Sequence, residues 1–381
     1  GQASNSSTGS PDANWGNRAE SLLTAAILRL DIAKIETHMN EIGPLSVRTE
    51  GVANAYNPFH RNAPVTIHAT GLRNVYDLLF HSNGNLYAPA NGSGSQGNSP
   101  ATPSVVDSSV RIDRSRNGDY TGPNVPAING TQDVADDYLF KILAGRYYGH
   151  PNPTRSEYAL YGGNPTADRD PQEVAQYPVG TQPDRNFRRA LHVFGPGYSP
   201  NGVIEYRHNS FGGALEGKLM IARYSRGDDI VIVSLDAGGN VTKVESGFAG
   251  LTGFDEPLDL VQDPTTGNIF VSEDGARRLT MIRPLESGAS IRTSSRTLSF
   301  ADARVDAVAS RPQTITIRNR GTGSLALPRD AFTITGPDAA LFRVVDAELP
   351  ATIRPGRARA FQLVMQTTAT TPLDRVLTAT L

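Results

Sequence analysis

The chain is built from short runs of alternating apolar residues, each stopped by glycine, asparagine, proline or aspartate, and one hairpin pattern is used twice. Tyr76-Asp77-Leu78-Leu79 runs through a turn to Gly84-Asn85-Leu86-Tyr87. Leu258-Asp259-Leu260-Val261 runs through a longer turn to Gly267-Asn268-Ile269-Phe270. In both, a strand enters with an Asp, turns at Gly-Asn and leaves with an apolar–aromatic pair. Alternation with a period of two places every second side chain on one face, which is the pattern of a strand with a face to bury. A hairpin repeated far apart in sequence predicts repeated sheet units, as a propeller repeats its blade.

Other runs read the same way: residues 65–70, 85–89, 138–143, 202–207, 218–224, 229–235, 268–273 and 279–283. Only 19–35 offers a helix. There Ala26, Leu28, Leu30 and Ile32 alternate as in a strand, while Leu23, Ile27 and Leu30 suit a helical stripe. Residues 91–132 and 151–200 are dominated by Gly, Ser, Asn, Pro and Asp and read as long surface loops. A Ser/Gly/Arg-rich stretch at 284–296 reads as a linker, and short strand-like runs follow it at 314–318, 331–335, 341–345, 359–365 and 375–380, the pattern of a β-sandwich.

A length of 381 residues exceeds one ordinary core, so two domains are expected. Charge is balanced, at 36 basic against 38 acidic residues, which argues against nucleic acid as a partner. Cysteine is absent, which excludes disulfides, thiolate metal sites and a cysteine nucleophile. There is no apolar run of the roughly 18 residues that spans a membrane. The chain begins Gly1-Gln2-Ala3-Ser4, and the expectation is a removed targeting segment or a fragment.

With these residues in view, the chain resembles the soluble quinoprotein glucose/sorbosone dehydrogenases. The matching runs are Gly71-Leu72-Arg73-Asn74 leading to Gly84-Asn85-Leu86-Tyr87, and Asp136-Asp137-Tyr138-Leu139-Phe140 leading to Tyr148-Gly149-His150-Pro151. Ser199-Pro200-Asn201-Gly202, then Phe211-Gly212-Gly213 and residues 218–229, follow. The C-terminal part resembles Hydin-type immunoglobulin-like modules, through Leu298-Ser299-Phe300, residues 314–321, Gly336-Pro337-Asp338-Ala339-Ala340-Leu341-Phe342 and Leu349–Gly356 as a run ending in a Pro-Gly turn. The expected fold is all-β: a six-bladed-type β-propeller, incomplete at its N-terminus, over residues 1–285, a linker at 286–297, and an immunoglobulin-like β-sandwich over 298–381.

The resemblance implies calcium and pyrroloquinoline quinone as cofactors, and a histidine that takes the proton of a sugar hydroxyl. Arg73, Asn74, Arg223 and Arg226 match cofactor-contacting positions, where a planar guanidinium suits quinone and carboxylate oxygens. The plainer alternatives are that Arg73 ties a blade turn to backbone carbonyls and that Arg223 and Arg226 pair with Asp228 and Asp229. Gly92 and Ser93 match carbonyl ligands of calcium, with Ser93 in place of the family's proline. Asp136, Asp137 and Tyr148 match a second calcium site; the alternative is a solvated Asp pair at a strand entrance. None of His38, His60, His68, His81, His150, His192 and His208 sits in the motif of the family's base, which is expected upstream of Gly1.

Gly92-Ser93-Gly94-Ser95-Gln96-Gly97 formally fits G-x-G-x-x-G, but Asn98-Ser99-Pro100 follows in place of a helix, so dinucleotide binding is set aside. Asn5, Asn91, Asn129 and Asn240 head N-x-[ST] sequons. The leading expectation is an extracellular or periplasmic oxidoreductase of sugars or related alcohols, with the sandwich as attachment module. The second is a non-catalytic propeller that binds a cell-surface glycan or protein.

Overall fold

The structure is a computed structural model that describes residues 20–93, 98–114, 119–131, 136–285, 288–301, 309–345, 347–368, 371 and 376–381. Its contacts divide the chain into two compact units, one running to Arg207 and from Gly217 to Ile282, the other comprising 208–216 and the chain from Arg283 onward. Among the described residues no helix is long and apolar enough to cross a membrane.

The first unit is a succession of antiparallel sheets whose strands are neighbours in sequence. Strand β1 (Ala26–Leu30) pairs with β2 (Val65–Thr70), and between them runs α1 (Ile32–Glu41). The two periods that competed in 19–35 are thus both used, one after the other: the alternating residues form β1, and Asp31 then caps the helix by accepting from the Lys34 amide at 3.2 Å. A four-stranded meander follows, β3 (Leu79–Phe80), β4 (Leu86–Ala90), β5 (Asp136–Ile142) and β6 (His192–Pro196). A second is made of β7 (Pro200–Glu205), β8 (Leu219–Arg223), β9 (Asp229–Leu235) and β10 (Val241–Glu245). Strands β11 (Pro257–Gln262), β12 (Ile269–Glu273) and β13 (Arg278–Ile282) form a three-stranded sheet.

The sheet β3–β6 is buried on both faces, which is why β4 reads Leu-Tyr-Ala-Pro-Ala with every residue buried. Alternate residues serve different cores. Leu86, Ala88, Tyr138 and Phe140 pack with Ile27, Ala69 and Leu72, whereas Tyr87 and Leu139 pack with Val203, Leu219, Ile221, Val231 and Val233 of the next sheet. The next junction is closer still. A Cβ on Gly202 of β7 would lie 2.4 Å from Asp259 Oδ1 and 2.6 Å from its Cα, so β7 runs directly against β11.

The repeated aspartates do one local job: each accepts the amide that follows it, Asp77 from Leu78 and Asp259 from Leu260, both at 2.7 Å. Asp77 also accepts the Val203 amide at 3.0 Å, which ties its hairpin to β7.

Glu273, at the end of β12, accepts from Arg278 at 2.9 Å, from the Thr280 hydroxyl and from the Asp255 amide at 2.7 Å. The Arg278 hydrogen bonds, with burial opposing them, hold its pKa at about 2, below the ordinary 4.5. A carboxylate with a depressed folded pKa adds stability above its unfolded value, and that contribution disappears as the pH falls through the folded value. Urea midpoints measured between pH 5 and pH 2 are expected to show this decline, and a Glu273→Gln variant to show less of it. Equal slopes would refute the pairing.

The second unit holds β14 (Ile291–Thr293), β15 (Gln313–Asn319), β16 (Leu325–Leu327), β17 (Phe342–Val345), β18 (Ala351–Ile353) and β19 (Ala358–Met365). One sheet has the order β14-β15-β19-β17 and the other pairs β16 with β18. Ile315, Ile317, Phe361 and Leu363 from the first share one core with Leu327, Ala351 and Ile353 from the second. Asn319 locks this core's rim, its amide donating to Gly323 and Ile353 carbonyls at 2.7 and 2.9 Å.

Three boundaries differ from the sequence expectation. Strand β14 falls inside the expected linker 286–297, because Ile291–Thr293 pairs with β15. Phe211-Gly212-Gly213 belongs by its contacts to the second unit, not to a blade. The strand expected at 331–335 is a loop whose one ladder pairing among the described residues is the isolated Thr335–Thr380 bridge, although Phe332 packs edge-on against the Phe361 ring with centroids 4.7 Å apart. Asn5, residues 94–97 of the glycine-rich run and part of 375–380 lie outside the described residues.

Candidate cofactor-binding site

In an antiparallel meander every second chain reversal falls at the same edge. The residues that follow β4, open β5, join β6 to β7 and end β8 therefore meet at one edge of the first unit. Most of the residues singled out in the sequence lie there.

Arg73 sits in the turn after β2. The neighbouring Asn74 bridges to Asn91, whose amide donates to the Asn74 carbonyl at 3.0 Å. This puts Arg73 against the end of β4, where its Nη1 donates to the Gly92 carbonyl at 2.7 Å. Gly92 in turn donates its amide to Asp137 Oδ1 at 2.9 Å, and the Ser199 amide donates to Asp137 Oδ2 at 2.8 Å. Asp137 is buried, not a solvated strand-entrance residue. Burial pushes its pKa up; the Ser199, Gly92 and Tyr198 amides and the Arg73 charge work against that rise. Ser93 is also buried, its amide donating to the Tyr161 hydroxyl at 2.6 Å and its hydroxyl accepting from Tyr161 at 3.1 Å.

The two later arginines meet over one ring. Arg223 stands 4.4 Å and Arg226 5.7 Å from the centre of Tyr198. Their roles differ. Arg223 and Asp229 are cross-strand partners in β8 and β9 and form a two-pronged pair at 2.7 and 2.6 Å, which neutralises Arg223 locally. Arg226 is exposed and donates only at 3.3 Å to the Pro196 carbonyl. Arg73 and Arg226 are thus the candidate cations for an anionic ligand, joined through Asp137 and Tyr198.

The second metal set does not assemble. The Tyr148 hydroxyl donates to the Lys141 carbonyl at 2.7 Å and accepts the Leu143 amide at 2.8 Å. Lys141 is five residues along β5 from Asp136, about 16 Å of extended strand. Burial pushes the Tyr148 pKa up to about 12, so the hydroxyl stays protonated. Asp136 is half-buried with its pKa raised by burial, and among the described residues no three His, Cys, Asp or Glu side chains form a metal cluster. At the Gly92 position the carbonyl is taken by the Arg73 guanidinium, while the neighbouring Asn91 Oδ1 is buried without a hydrogen-bond partner and is an oxygen of the kind a hard cation takes.

Sequence reasoning missed Asn91, Tyr161, Tyr198 and Ser199 as members of this group. Asn91 was visible only as a sequon; its Nδ2 is engaged at 2.8 Å by Ser199 Oγ. Tyr198 directly precedes the Ser-Pro-Asn-Gly run, but nothing in sequence shows that two arginines stack on it.

No family model and no curated protein matches the sequence. Among solved structures, one described as an oxidoreductase (glucose dehydrogenase) from Thermus thermophilus is 19% identical with a TM-score of 0.33, covering 59% of this chain and 50% of that one. The soluble aldose sugar dehydrogenase of Escherichia coli, in its apo form, is 17% identical with a TM-score of 0.32, covering 56% and 46%. The PQQ-bound aldose sugar dehydrogenase of Streptomyces coelicolor is 15% identical with a TM-score of 0.32, covering 59% and 46%. The chain spans about half the length of these structures. Likeness at this level transfers no residue role.

Proposed function

We propose that the first unit is part of a β-propeller oxidoreductase that binds pyrroloquinoline quinone at this edge and acts on hydroxyl groups of sugars or related alcohols. We place it outside the cytoplasm, with the second unit as an immunoglobulin-like attachment module. The observation that carries the reading is the convergence of Arg73, Gly92, Asp137, Tyr198 and Arg226, from segments far apart in sequence, around two arginines and an unpartnered amide oxygen.

When bound, the quinone would accept a hydride from the alcohol carbon. The chain's own contribution is electrostatic. Arg73, pinned by Gly92, presents fixed donors to carboxylate or quinone oxygens and stabilises charge that develops there. Arg226, stacked on Tyr198, supplies a second cation that can move to its ligand. Asp137 is held by the Gly92, Ser199 and Tyr198 amides and fixes the loops that carry Gly92 and Ser199. A calcium ion at the Gly92 carbonyl would displace the Arg73 guanidinium that donates to it here, so the two are alternative occupants of that oxygen, with Asn91 Oδ1 as a further donor to the cation. No histidine of the described residues is assigned the proton transfer.

The test is quinone binding by the full-length protein, followed by fluorescence quenching, with dye reduction assayed on aldoses. A hydrogen bond to a charged group contributes about 1.5–3 kcal/mol, so Arg73→Ala is expected to weaken binding about tenfold or more. Failure of the unaltered protein to bind quinone overturns the reading. Sugar binding without turnover would replace it with the non-catalytic one.

A further inference from the structure

The described chain begins with a strap that the proposed site does not use directly. Glu20 and His150 are both almost wholly buried, and Glu20 Oε1 lies 2.9 Å from His150 Nε2. The Thr24 hydroxyl donates to the other Glu20 oxygen. Every carbonyl from Ser21 to Ala25 except that of Leu23 is gripped by the loop that follows His150: Asn152 Nδ2 donates to Ser21 at 2.8 Å, and Arg155 to Leu22, Thr24 and Ala25 at 2.8, 2.6 and 3.3 Å. Arg155 and Asn152 are themselves fully buried.

The strap's last carbonyl is where it reaches the site. Ala25 O accepts both the Gly71 and the Leu72 amides, at 3.0 and 3.1 Å, and the His150 amide donates to the Gly71 carbonyl at 2.9 Å. Gly71 and Leu72 are the two residues before Arg73. Their backbone is held from one side by the strap and from the other by the His150 loop, and the Glu20–His150 contact joins the Asn152 and Arg155 contacts in closing these two against each other.

We infer that Glu20 and His150 are positioning residues for Arg73, holding the turn that aims its guanidinium at the Gly92 end of β4. The role in ligand binding rests on the proposed quinone site; the effect on the turn does not. Without His150 the buried Glu20 carboxylate keeps only the Thr24 hydroxyl as side-chain donor, and its shift to find another loosens the strap that carries the Ala25 carbonyl against the Arg155 grip. His150 Nδ1 is buried without a partner, so Nε2 is the only ring atom tied to the strap. A glutamine at 150 can still donate from a side-chain amide, whereas phenylalanine cannot.

The experiment is amide hydrogen exchange on the full-length protein, comparing His150→Phe with His150→Gln. In His150→Phe, the Gly71 and Leu72 amides are expected to exchange about tenfold faster or more, while Ile221 and Val231 in β8 and β9 keep their protection. His150→Gln is expected to restore protection to within about threefold of the unaltered protein. Unchanged exchange at Gly71 and Leu72, equal loosening of β8 and β9, or no rescue by glutamine overturns the inference. If His150→Phe does not fold, Glu20→Ala is judged by the same criteria, and loss of the fold in both also overturns it. Quinone affinity is read in parallel. Selective loosening with no quinone binding by any variant would sink the proposed function and leave the positioning role standing, whereas quinone binding unchanged in a loosened His150→Phe would sever the link to Arg73.

Discussion

Replacing Gly71 by alanine is expected to cost the first unit about 3–5 kcal/mol, by the addition of two effects that glycine alone avoids. Gly71 has φ +78°, a region where a Cβ meets its own backbone. A Cβ there would also lie 2.6 Å from two ring carbons of Tyr147 and 2.7 Å from the Gly149 amide. Neither neighbour can yield. Tyr147 is fully buried and its hydroxyl donates to the Ala159 carbonyl at 2.6 Å; Gly149 is itself pressed against Tyr161. Thermal melting should show a drop of about 10 °C or more. Because Gly71 also carries one strap contact through its amide and the His150-loop contact through its carbonyl, binding at Arg73 should weaken further than the lost stability explains. A melting temperature within a degree or two of the unaltered protein would mean that the turn is not packed as described.

Much of the sheet structure was legible because alternation and turn residues coincide with strand ends. Strands β2 and β9 occupy the residues expected, and both repeated hairpins form, as β3–β4 and β11–β12. The strands that went unread lack that signal. In β6, His-Val-Phe-Gly-Pro ends in two residues that break an alternating pattern, and β10 is an edge strand with few buried residues. Strands of three residues, such as β14 and β16, are too short to show a period. The segment 331–335 erred the other way: Phe332 is drawn into the core by its ring, and the backbone around it needs no ladder partner.

The site was legible in residue type and not in allegiance. The alternative weighed for Arg73 occurs, and the ion pairing weighed for Arg223 and Arg226 occurs at Arg223 alone. Arg73 does tie a turn to a backbone carbonyl, and that bond is also what fixes its direction. Arg223 does pair with an aspartate, and the pairing is forced by hairpin register, since residues 223 and 229 face each other across β8 and β9. Asp136 and Asp137 were read as one pair, yet neighbouring residues in a strand point to opposite faces, so only Asp137 enters the buried network. Tyr148 is nearby in the motif but serves the opposite end of β5. Convergence of this kind depends on which edge each loop closes, and that is set by sheet order rather than by spacing.

The same logic marks Arg111 as the residue whose loss should unfasten the long loops that sequence could only describe as irregular. It is almost wholly buried and makes five donations: two to Asp113 at 2.8 and 2.9 Å, two to Asp184 at 3.2 and 2.6 Å, and one to the Ser156 carbonyl at 2.6 Å. Three stretches without regular structure are joined at this one guanidinium. Burial pushes the Asp184 pKa up and Arg111 opposes that rise. Arg111→Met fills the space but leaves the Asp184 carboxylate with no cation, and breaking a buried pair from one side costs about 3–5 kcal/mol. The pH dependence has a definite sign. Without Arg111, the folded pKa of Asp184 rises further above its unfolded value, so the folded state binds the proton first as the pH falls. The variant's deficit against the unaltered protein should therefore be largest near pH 7 and narrow toward pH 5. Adding Asp184→Asn removes the uncompensated charge and should recover part of the loss, because the amide can still donate and accept within the loops. Denaturation of the unaltered protein, Arg111→Met, Asp184→Asn and the double variant at pH 7 and pH 5 measures both effects. A deficit that is the same at the two pH values, or a double variant no more stable than Arg111→Met, would show that the guanidinium contributes volume and not charge.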